Sequence, residues 1–506
     1  MAPQADFAKI GYEIENFFGR QKSFCDGNPP ATQNLCRYKF FPSYGATKVV
    51  HMNVEDVKCN EAASRFMAEK RTELQMKGLV GQNCGAIMAT TKRVGVLIMF
   101  FALVYYVDAI KKVMPIPGPD IYKNQNVAQD VLSPGEKINN VINFGAKPNG
   151  KFDCTQAFMD AWQATCHSKK QARLLIPKGR FVVSSMFFAG PCMTPEPITI
   201  QVVGTIAATT DLSEYVNGDW LLFEDLNGIK VIGGGTFDGV GKESWKTASN
   251  CKVDPSDSCI RNPASIYFHR VRNGIIQNIK SIDPKGFHIF VTNCVNIRLR
   301  RLKISAPDES PNTDGIHISQ SVDIKVSKNV IQTGDDCLSM IHGSHDVSVN
   351  KMDCGHGHGI SIGSLGKYED ELEVKNIRVK NITMIGTTNG LRIKSWPDRY
   401  QGSASNITFS DIMMENVRNP IIIDQEYQCK SNCKPSLVKI KDIRFSNIKG
   451  TTISPIAVDL RCSKKFPCQN INLENIDLTI AKEPTSSRCA NVKPIYKGLQ
   501  KPPGCA

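Results

Sequence analysis

The second half of the chain repeats one short pattern, in which apolar residues stand at positions i, i+2 and i+5. Six copies match it: Ile297/Leu299/Leu302, Val347/Val349/Met352, Ile377/Val379/Ile382, Ile407/Phe409/Ile412, Ile443/Phe445/Ile448 and Ile471/Leu473/Ile476. Ile324/Val326/Val330 fits with one inserted residue. Alternation of this kind is typical of a strand with one buried face. Its recurrence predicts stacked units, none of which can bury its apolar row alone.

A second series of short strands lies between these copies. It begins at Gly286, Gly315, Cys337, Gly359, Gly390, Pro420 and Pro455. Two interleaved series with one unit every 22 to 36 residues predict an all-β fold, a single-stranded right-handed parallel β-helix. A propeller needs longer, more uniform blades, and a leucine-rich repeat needs its own Leu/Asn spacing. Ahead of the repeats, Thr155–Cys166 has apolar residues at helical spacing and predicts a short helix that caps the stack.

The N-terminal part of the chain predicts a different organisation. Residues 1–87 form an uncharacterised extension with one helical pattern around Glu61–Met76. Residues 88–109 combine a basic start, a 14-residue apolar run and small residues at the end, the order found in a secretory signal peptide. We therefore expect that Met88 is the true start, that 1–87 belong to an extended gene model, and that 110–506 form the β-helix domain. An internal signal-anchor with a cytosolic tail, or a buried core helix, are the alternatives.

Polar residues recur at equivalent places in successive units. Asp314, Asp336, His358 and Asn389 each stand directly before the first residue of a second-series strand, so they are expected to form one column. His317, Ser339, Ser361 and Arg392 stand two residues after the first residue of each strand and are expected to form another column. Asp335 flanks the first column, and Lys394 points the same way as Arg392. Asn and Asp also serve ordinary turns, but their coincidence with imidazole and two cations in adjacent units indicates a site.

Clustered carboxylates repel one another, so one of them should stay protonated as a general acid while the others activate water. That division of labour is glycoside hydrolysis. Arg392 and Lys394 would bind a substrate carboxylate, which favours an acidic sugar.

Composition agrees with this interpretation. The formal charge of +14 favours a polyanionic partner, and the absence of nucleic-acid-binding motifs favours an acidic polysaccharide over nucleic acid. Fourteen of the 18 cysteines lie between Cys154 and Cys505, and the close pairs Cys429/Cys433 and Cys462/Cys468 predict disulfides in an oxidising compartment. Two N-glycosylation sequons begin at Asn381 and Asn406.

These motifs, from about Val141 to Cys505, resemble the plant polygalacturonases of glycoside hydrolase family 28. The resemblance rests on Asn312-Thr313-Asp314, Gly334-Asp335-Asp336, Gly357-His358-Gly359 and Arg392-Ile393-Lys394. It implies that Asp335 is the general acid, that Asp314 and Asp336 activate water, and that His358 supports their charge state. It further implies that Asn312, Arg392, Lys394 and Tyr427 bind substrate.

The resemblance implies hydrolysis of α-1,4 bonds between galacturonic acid units with inversion, by an exo-acting enzyme that needs no cofactor or metal. We expect a secreted monomer that acts in the cell wall, with no stable membrane span in the mature form. Endo action, a calcium-dependent pectate lyase and a pectin-binding wall protein without activity are the alternatives. The sequence departs from the family at His356, where Pro is usual. A metal site formed by His356 and His358 lacks a third ligand motif, so we interpret His356 as a turn substitution.

Overall fold

The computed structural model describes residues 133–251, 262–480 and 483–505. The predicted extension 1–87, the signal-like segment 88–109 and the first residues of the predicted β-helix domain lie outside the described residues. No helix in these ranges is long and apolar enough to cross a membrane.

The described chain is a parallel β-helix, as the repeat predicts, and its coils have three faces. The first face begins with β1 (Lys137–Asn140), β3 (Ala172–Ile176), β6 (Ile198–Val202), β9 (Ile229–Ile232), β12 (Arg272–Gln277) and β15 (Val295–Arg300). The second begins with β2 (Asn149–Asp153), β4 (Arg180–Val183), β7 (Thr205–Ala208), β10 (Thr236–Asp238), β13 (Lys280–Ile282) and β16 (Lys303–Ser305).

Long bent strands continue both of these faces in the later coils. They are β18 (Val322–Gln332), β20 (His345–Cys354), β22 (Val374–Ile385), β24 (Gly402–Val417), β26 (Val438–Thr452), β28 (Gln469–Thr479) and β30 (Ile495–Lys501). The first half of β18 pairs with β15 and its second half with β16, so one strand replaces two. The prediction of two strand series is therefore corrected to three faces. Each copy of the apolar pattern spans two of them, with its first part on the first face and its last part on the second.

The third face is a separate sheet of 11 parallel strands. Its members are β5 (Met186–Ala189), β8 (Asp219–Glu224), β11 (Ala264–His269), β14 (Ile289–Thr292), β17 (Ile316–Ser319), β19 (Asp336–Met340), β21 (Gly359–Leu365), β23 (Asn389–Ser395), β25 (Asn419–Asp424), β27 (Ile456–Arg461) and β29 (Ser486–Ala490). The predicted start at Gly286 is too early, because Ile289 is the residue that pairs with Ile316 of the next coil.

The bend between the first two faces lies at a fixed place in the repeat. The residue just before the third apolar position has a positive φ in each coil, for example 56° at Asn381 and 53° at Asn447. Asn and Asp tolerate this left-handed conformation better than most residues. The Asn side chains at this place also bond between coils, as Asn475 Nδ2 donates to Asn447 Oδ1 at 3.1 Å. The two polar positions of the pattern thus turn the chain while the three apolar positions stay inside.

The apolar rows of all three faces meet in one continuous interior. Ile407, Ile443 and Ile471 are fully buried and stand in register on successive coils. Phe409 and Phe445 stack with ring centroids 5.2 Å apart. Full burial of such a side chain stabilises the fold by roughly 1.5–3 kcal/mol.

One copy of the pattern differs from its prediction. No residue is inserted in Ile324/Val326/Val330, because Asn329 is the residue in register with Met352. Asn329 is buried, and its side chain accepts from the Leu302 amide at 2.9 Å and donates to the Leu299 carbonyl at 3.2 Å. A buried amide is tolerated there because both of its polar ends are bonded.

The predicted capping helix is present as α1 (Thr155–Cys166). Its apolar side covers the first coils, where Phe158 meets Phe181 and Trp162 meets Phe188 edge to face. A second helix, α2 (Lys242–Cys251), lies after β10 and was not predicted.

Both predicted close disulfides, Cys429–Cys433 and Cys462–Cys468, are formed. Further disulfides within the described ranges are Cys166–Cys192, Cys337–Cys354 and Cys489–Cys505, whereas Cys154 and Cys294 are buried thiols.

Candidate active site

The candidate site lies on the third face, where β17, β19, β21, β23 and β25 are adjacent in that order. The second predicted column is confirmed by the strand register. His317 pairs with Ser339, Ser339 with Ser361, and Ser361 with Arg392. Neighbouring parallel strands are about 4.8 Å apart, so these four side chains form a continuous line across the sheet.

The first predicted column is interrupted by a bulge. The pairing shifts between Asp336 and Leu338, so Asp336 lies opposite Gly359 and not opposite His358. His358 therefore sits beside Asp335: its backbone N–H donates to the Asp335 carbonyl at 2.9 Å, and its Nδ1 lies 2.8 Å from Asp335 Oδ1. A bulge adds one residue to a strand and redirects its neighbours, and here the two adjacent carboxylates have different partners, His358 for Asp335 and the two cations of β23 for Asp336.

The close approach of the backbones at this bulge requires glycine at position 359. Gly359 has φ of 78°, and a Cβ atom there would lie 1.9 Å from the Asn389 carbonyl oxygen. Any other residue would push β21 away from β23 and separate His358 from the cations beyond it.

Asp314 is buried at the entry to β17. Its Oδ2 accepts a hydrogen bond from Ser339 Oγ at 2.7 Å and lies 3.1 Å from His317 Nδ1. Burial raises the pKa of Asp314, and the negative charge of Asp335 raises it further.

The pKa of Asp335 is shifted in the opposite direction. Burial alone would raise its pKa, but the hydrogen bond to His358 and the positive charges of His358, Lys394 and Arg392 bring the pKa below its usual value. The same hydrogen bond raises the pKa of His358 despite burial, so this histidine keeps its proton above the usual pH. The hydrogen bond thus favours an ionised Asp335 and a protonated His358 in the free protein.

Asp336 is held between two cations. Arg392 Nη2 donates to Oδ1 at 2.8 Å and Lys394 Nζ donates to Oδ2 at 3.0 Å. Ser361 Oγ donates to Oδ1 at 2.7 Å, and Arg392 Nε donates to Ser361 Oγ at 2.9 Å. All four residues are at least nine-tenths buried, so one negative and two positive charges meet away from water and leave the group with a net positive charge.

The two remaining predicted substrate-binding residues are placed differently. Tyr427 lies close to the ion pairs, with Lys394 Nζ 5.2 Å from the centroid of its ring. Asn312 lies on the exposed turn ahead of Asp314, with φ of 53°. The structure therefore brings together Asp314, Asp335, Asp336, His358, Arg392, Lys394 and Tyr427, and leaves Asn312 at the margin.

Three of these groups have ligand atoms close enough to share a metal ion. Atoms of Asp335, Asp336 and His358 lie within 4.8 Å of one another. Both oxygens of Asp336 are already bonded to cations, which makes that carboxylate a poor metal ligand. His356 is not part of this group; its Nδ1 lies 3.0 Å from the Thr333 carbonyl and 3.6 Å from a carboxylate oxygen of Asp308.

Trp396, which follows β23 directly, is not among the predicted site residues. Its ring meets the ring of Tyr427 edge to face, with centroids 5.3 Å apart. Arg392, Lys394 and Trp396 are spaced by two, so the strand alternation already places them on one side. Continuing that alternation past Lys394 would have found it.

A parallel β-helix that carries three clustered carboxylates beside an imidazole and two cations defines a glycoside hydrolase. Residues 166–501 match the model of glycosyl hydrolases family 28. The chain belongs to this family, which confirms the predicted family and enzyme class.

Individual relatives agree with this membership. A polygalacturonase of Gossypium barbadense is 44% identical over 371 residues, which cover 72% of this chain and 90% of the relative. An exopolygalacturonase of Platanus acerifolia is 40% identical over 72% of this chain and 96% of its own. An endo-xylogalacturonan hydrolase of Aspergillus tubingensis matches 72% of this chain and 99% of its own with a TM-score of 0.62; at 24% identity this likeness concerns the fold alone.

Proposed function

We propose that this glycoside hydrolase is a polygalacturonase, which hydrolyses α-1,4 bonds between galacturonic acid units of pectin with inversion. The observation that carries the proposal is the joining of Asp314, Asp335 and Asp336 to Arg392 and Lys394 on neighbouring strands. Carboxylates alone serve any glycosidase, whereas two nearby cations select a sugar that is itself an anion. The relatives named polygalacturonase support the same substrate class.

In the proposed mechanism Asp335 protonates the glycosidic oxygen, and Asp314 and Asp336 orient and activate the attacking water. Both contacts described for the Asp314 carboxylate are made by Oδ2, which leaves Oδ1 for that water. Asp336 is the most deeply enclosed of the three carboxylates, with a side-chain exposure of 2% against 15% for Asp335. The more accessible group is the better placed to reach a leaving oxygen.

Substrate binding would give Asp335 the proton that a general acid needs. In the free protein the positive charges of Lys394 and Arg392 help to keep the pKa of Asp335 low. A galacturonate carboxylate bound to those cations would offset their charge, raise the pKa of Asp335 and allow the proton of His358 to move to it. Asp335 then acts as the acid only in the complex.

The surface on either side of the carboxylates supports exo action. On the side of later coils, β23 carries Arg392 and Lys394. On the side of earlier coils, the Phe287 and Phe290 rings pack against His317, with centroids 4.4 and 5.1 Å away. Of the described residues that flank the carboxylates, the two cations on β23 are thus the better placed to hold an anionic sugar, which suits an enzyme that removes one unit from a chain end.

Polygalacturonate digestion tests both parts of the proposal. Galacturonate alone is expected as the early product, with no unsaturated product and no loss of activity on chelation. An early ladder of oligomers would refute exo action. Unsaturated, chelator-sensitive products would identify a lyase, and binding without any product would identify a pectin-binding wall protein.

We further propose that the mature protein is a secreted monomer of the cell wall. The disulfides are consistent with an oxidising compartment, and both sequon residues, Asn381 and Asn406, are exposed. Mass spectrometry of the mature N-terminus tests cleavage after the signal-like segment; a peptide from residues 1–87 would contradict it. Light scattering of the purified protein tests the monomer.

A further inference from the structure

A chain of contacts between rings and cations leads away from the buried carboxylates. Lys394, which pairs with Asp336, lies 5.2 Å from the centroid of the Tyr427 ring. Tyr427 meets Trp396 edge to face at 5.3 Å. Arg399 then lies over the Trp396 ring, with its Cζ 4.2 Å from the centroid. Arg399 thus stands at the outer end of a structure that begins at the reacting groups.

The turn that carries Arg399 is fixed to the neighbouring loop. The Trp396 amide donates to the Leu365 carbonyl at 2.9 Å, and the Tyr400 amide donates to the Gly366 carbonyl at 3.2 Å. The Trp396 ring restricts the guanidinium by stacking, since the flat guanidinium is attracted to the face of an aromatic ring. Arg399 is therefore presented in a defined place although its side chain is exposed.

The charge of Arg399 is not used within the protein. No carboxylate of the described residues lies within 4 Å of its guanidinium, although Asp398 next to it pairs with Lys434 at 3.2 Å. Arg461, the last residue of β27 on the third face, contrasts with Arg399: its guanidinium lies 3.1 Å from a carboxylate oxygen of Asp424 and 3.3 Å from one of Asp459. A stacked, exposed and unpaired guanidinium beside an anion-binding site is suited to a carboxylate from outside the protein.

We propose that Arg399, held on Trp396, binds the carboxylate of a second galacturonate unit, beyond the unit held by Arg392 and Lys394. The Tyr427 ring lies between the two positions and provides a surface for the intervening part of the sugar chain. This inference rests on the proposed function, and it assigns to Arg399 a preference for longer substrates and no part in the chemical step.

The experiment compares substrates of two lengths. Digalacturonate spans only the cleaved bond, whereas tetragalacturonate reaches the outer position. Arg399→Gln is expected to lower the ratio of kcat/KM for tetragalacturonate to that for digalacturonate about fivefold, the size of an exposed ion pair. The wild-type ratio should fall as salt is raised, and the ratio of the variant should depend on salt less.

Two further variants separate this role from a structural one. Arg378→Gln removes the same charge from an exposed position on β22, in the other sheet, and should leave the ratio at its wild-type value. Trp396→Leu should lower the ratio as Arg399→Gln does, and Trp396→Phe should restore it because a ring is retained.

Failure of the inference is distinct from failure of the proposed function. An Arg399→Gln enzyme that hydrolyses both substrates with an unchanged ratio would overturn the inference alone. A folded wild-type protein that hydrolyses neither substrate would overturn the proposed function and the inference with it.

Discussion

The assignment of the acid to Asp335 can be tested by replacing Asp335 with Asn and changing the leaving group of the substrate. Asp335 Oδ1 accepts from the Asp336 amide at 2.8 Å and is bonded to His358 at 2.8 Å. The amide oxygen of Asn can accept both bonds, but the amide has no negative charge to pair with protonated His358, so the free energy of unfolding should fall by about 1–3 kcal/mol. The chemical step loses the proton that the carboxyl donates in the complex.

General acid catalysis contributes roughly 10²- to 10⁴-fold, or about 3–5 kcal/mol of the activation free energy. Asp335→Asn should therefore slow polygalacturonate hydrolysis by about that factor. A 4-nitrophenyl α-galacturonide has a leaving group that needs no proton, so its hydrolysis should fall far less. Asp314→Asn removes a group that activates water and should slow both substrates alike.

The assay measures reducing ends from polygalacturonate and released nitrophenol from the aryl substrate. The raised pKa of Asp314 makes the opposite outcome informative, because burial favours the protonated form of this carboxyl, which is the form that a general acid needs. If Asp314→Asn spares the aryl substrate and Asp335→Asn abolishes both reactions, the two roles are exchanged. Thermal unfolding of both variants controls for loss of the fold.

Three further predictions concern stability and pH. Asp336→Asn leaves the buried guanidinium of Arg392 and the ammonium of Lys394 without a counter-charge, so it should lower the free energy of unfolding by about 3 kcal/mol. Urea titration measures this change, and a value below about 1 kcal/mol would contradict the described pairing. Replacing Cys337 and Cys354 with Ala opens a loop of sequence separation 17 next to the site and should cost about 3 kcal/mol, whereas an unchanged midpoint in reducing agent would argue against the bond. The pKa of His358 is raised by its hydrogen bond to Asp335. The stability that this pair contributes is therefore complete below the pKa of an unfolded histidine, and it is lost as the pH rises through the pKa of the folded protein. His358→Asn should remove that alkaline loss of stability in unfolding curves recorded across pH.

The repeat pattern predicted the architecture because it is a local property. Each coil must keep its apolar positions inside, and strand alternation is readable from neighbouring residues. The same alternation correctly aligned His317, Ser339, Ser361 and Arg392. The polar positions in the repeat also carried a signal for three faces instead of the two predicted. Asn or Asp stands before the third apolar position in the later copies and favours the left-handed bend between the first and second faces.

The repeat pattern could not predict the contacts between coils. Asn329 was mistaken for an insertion because its amide is satisfied by two backbone groups of the preceding coil. The bulge after Asp336 depends on how two strands pair, and it moved His358 from Asp336 to Asp335. Sequence spacing counts residues, whereas register is decided by the hydrogen bonds of the assembled sheet.

The sequence by itself determined the parallel β-helix, the carboxylates and cations of the site, and the family of glycoside hydrolases. Only the tertiary structure decided how those groups share their charges. Asp336 is committed to Arg392 and Lys394, Asp335 to His358, and Asp314 is left buried with a raised pKa. Charge sharing depends on distance and burial, and both arise only when separate coils are stacked.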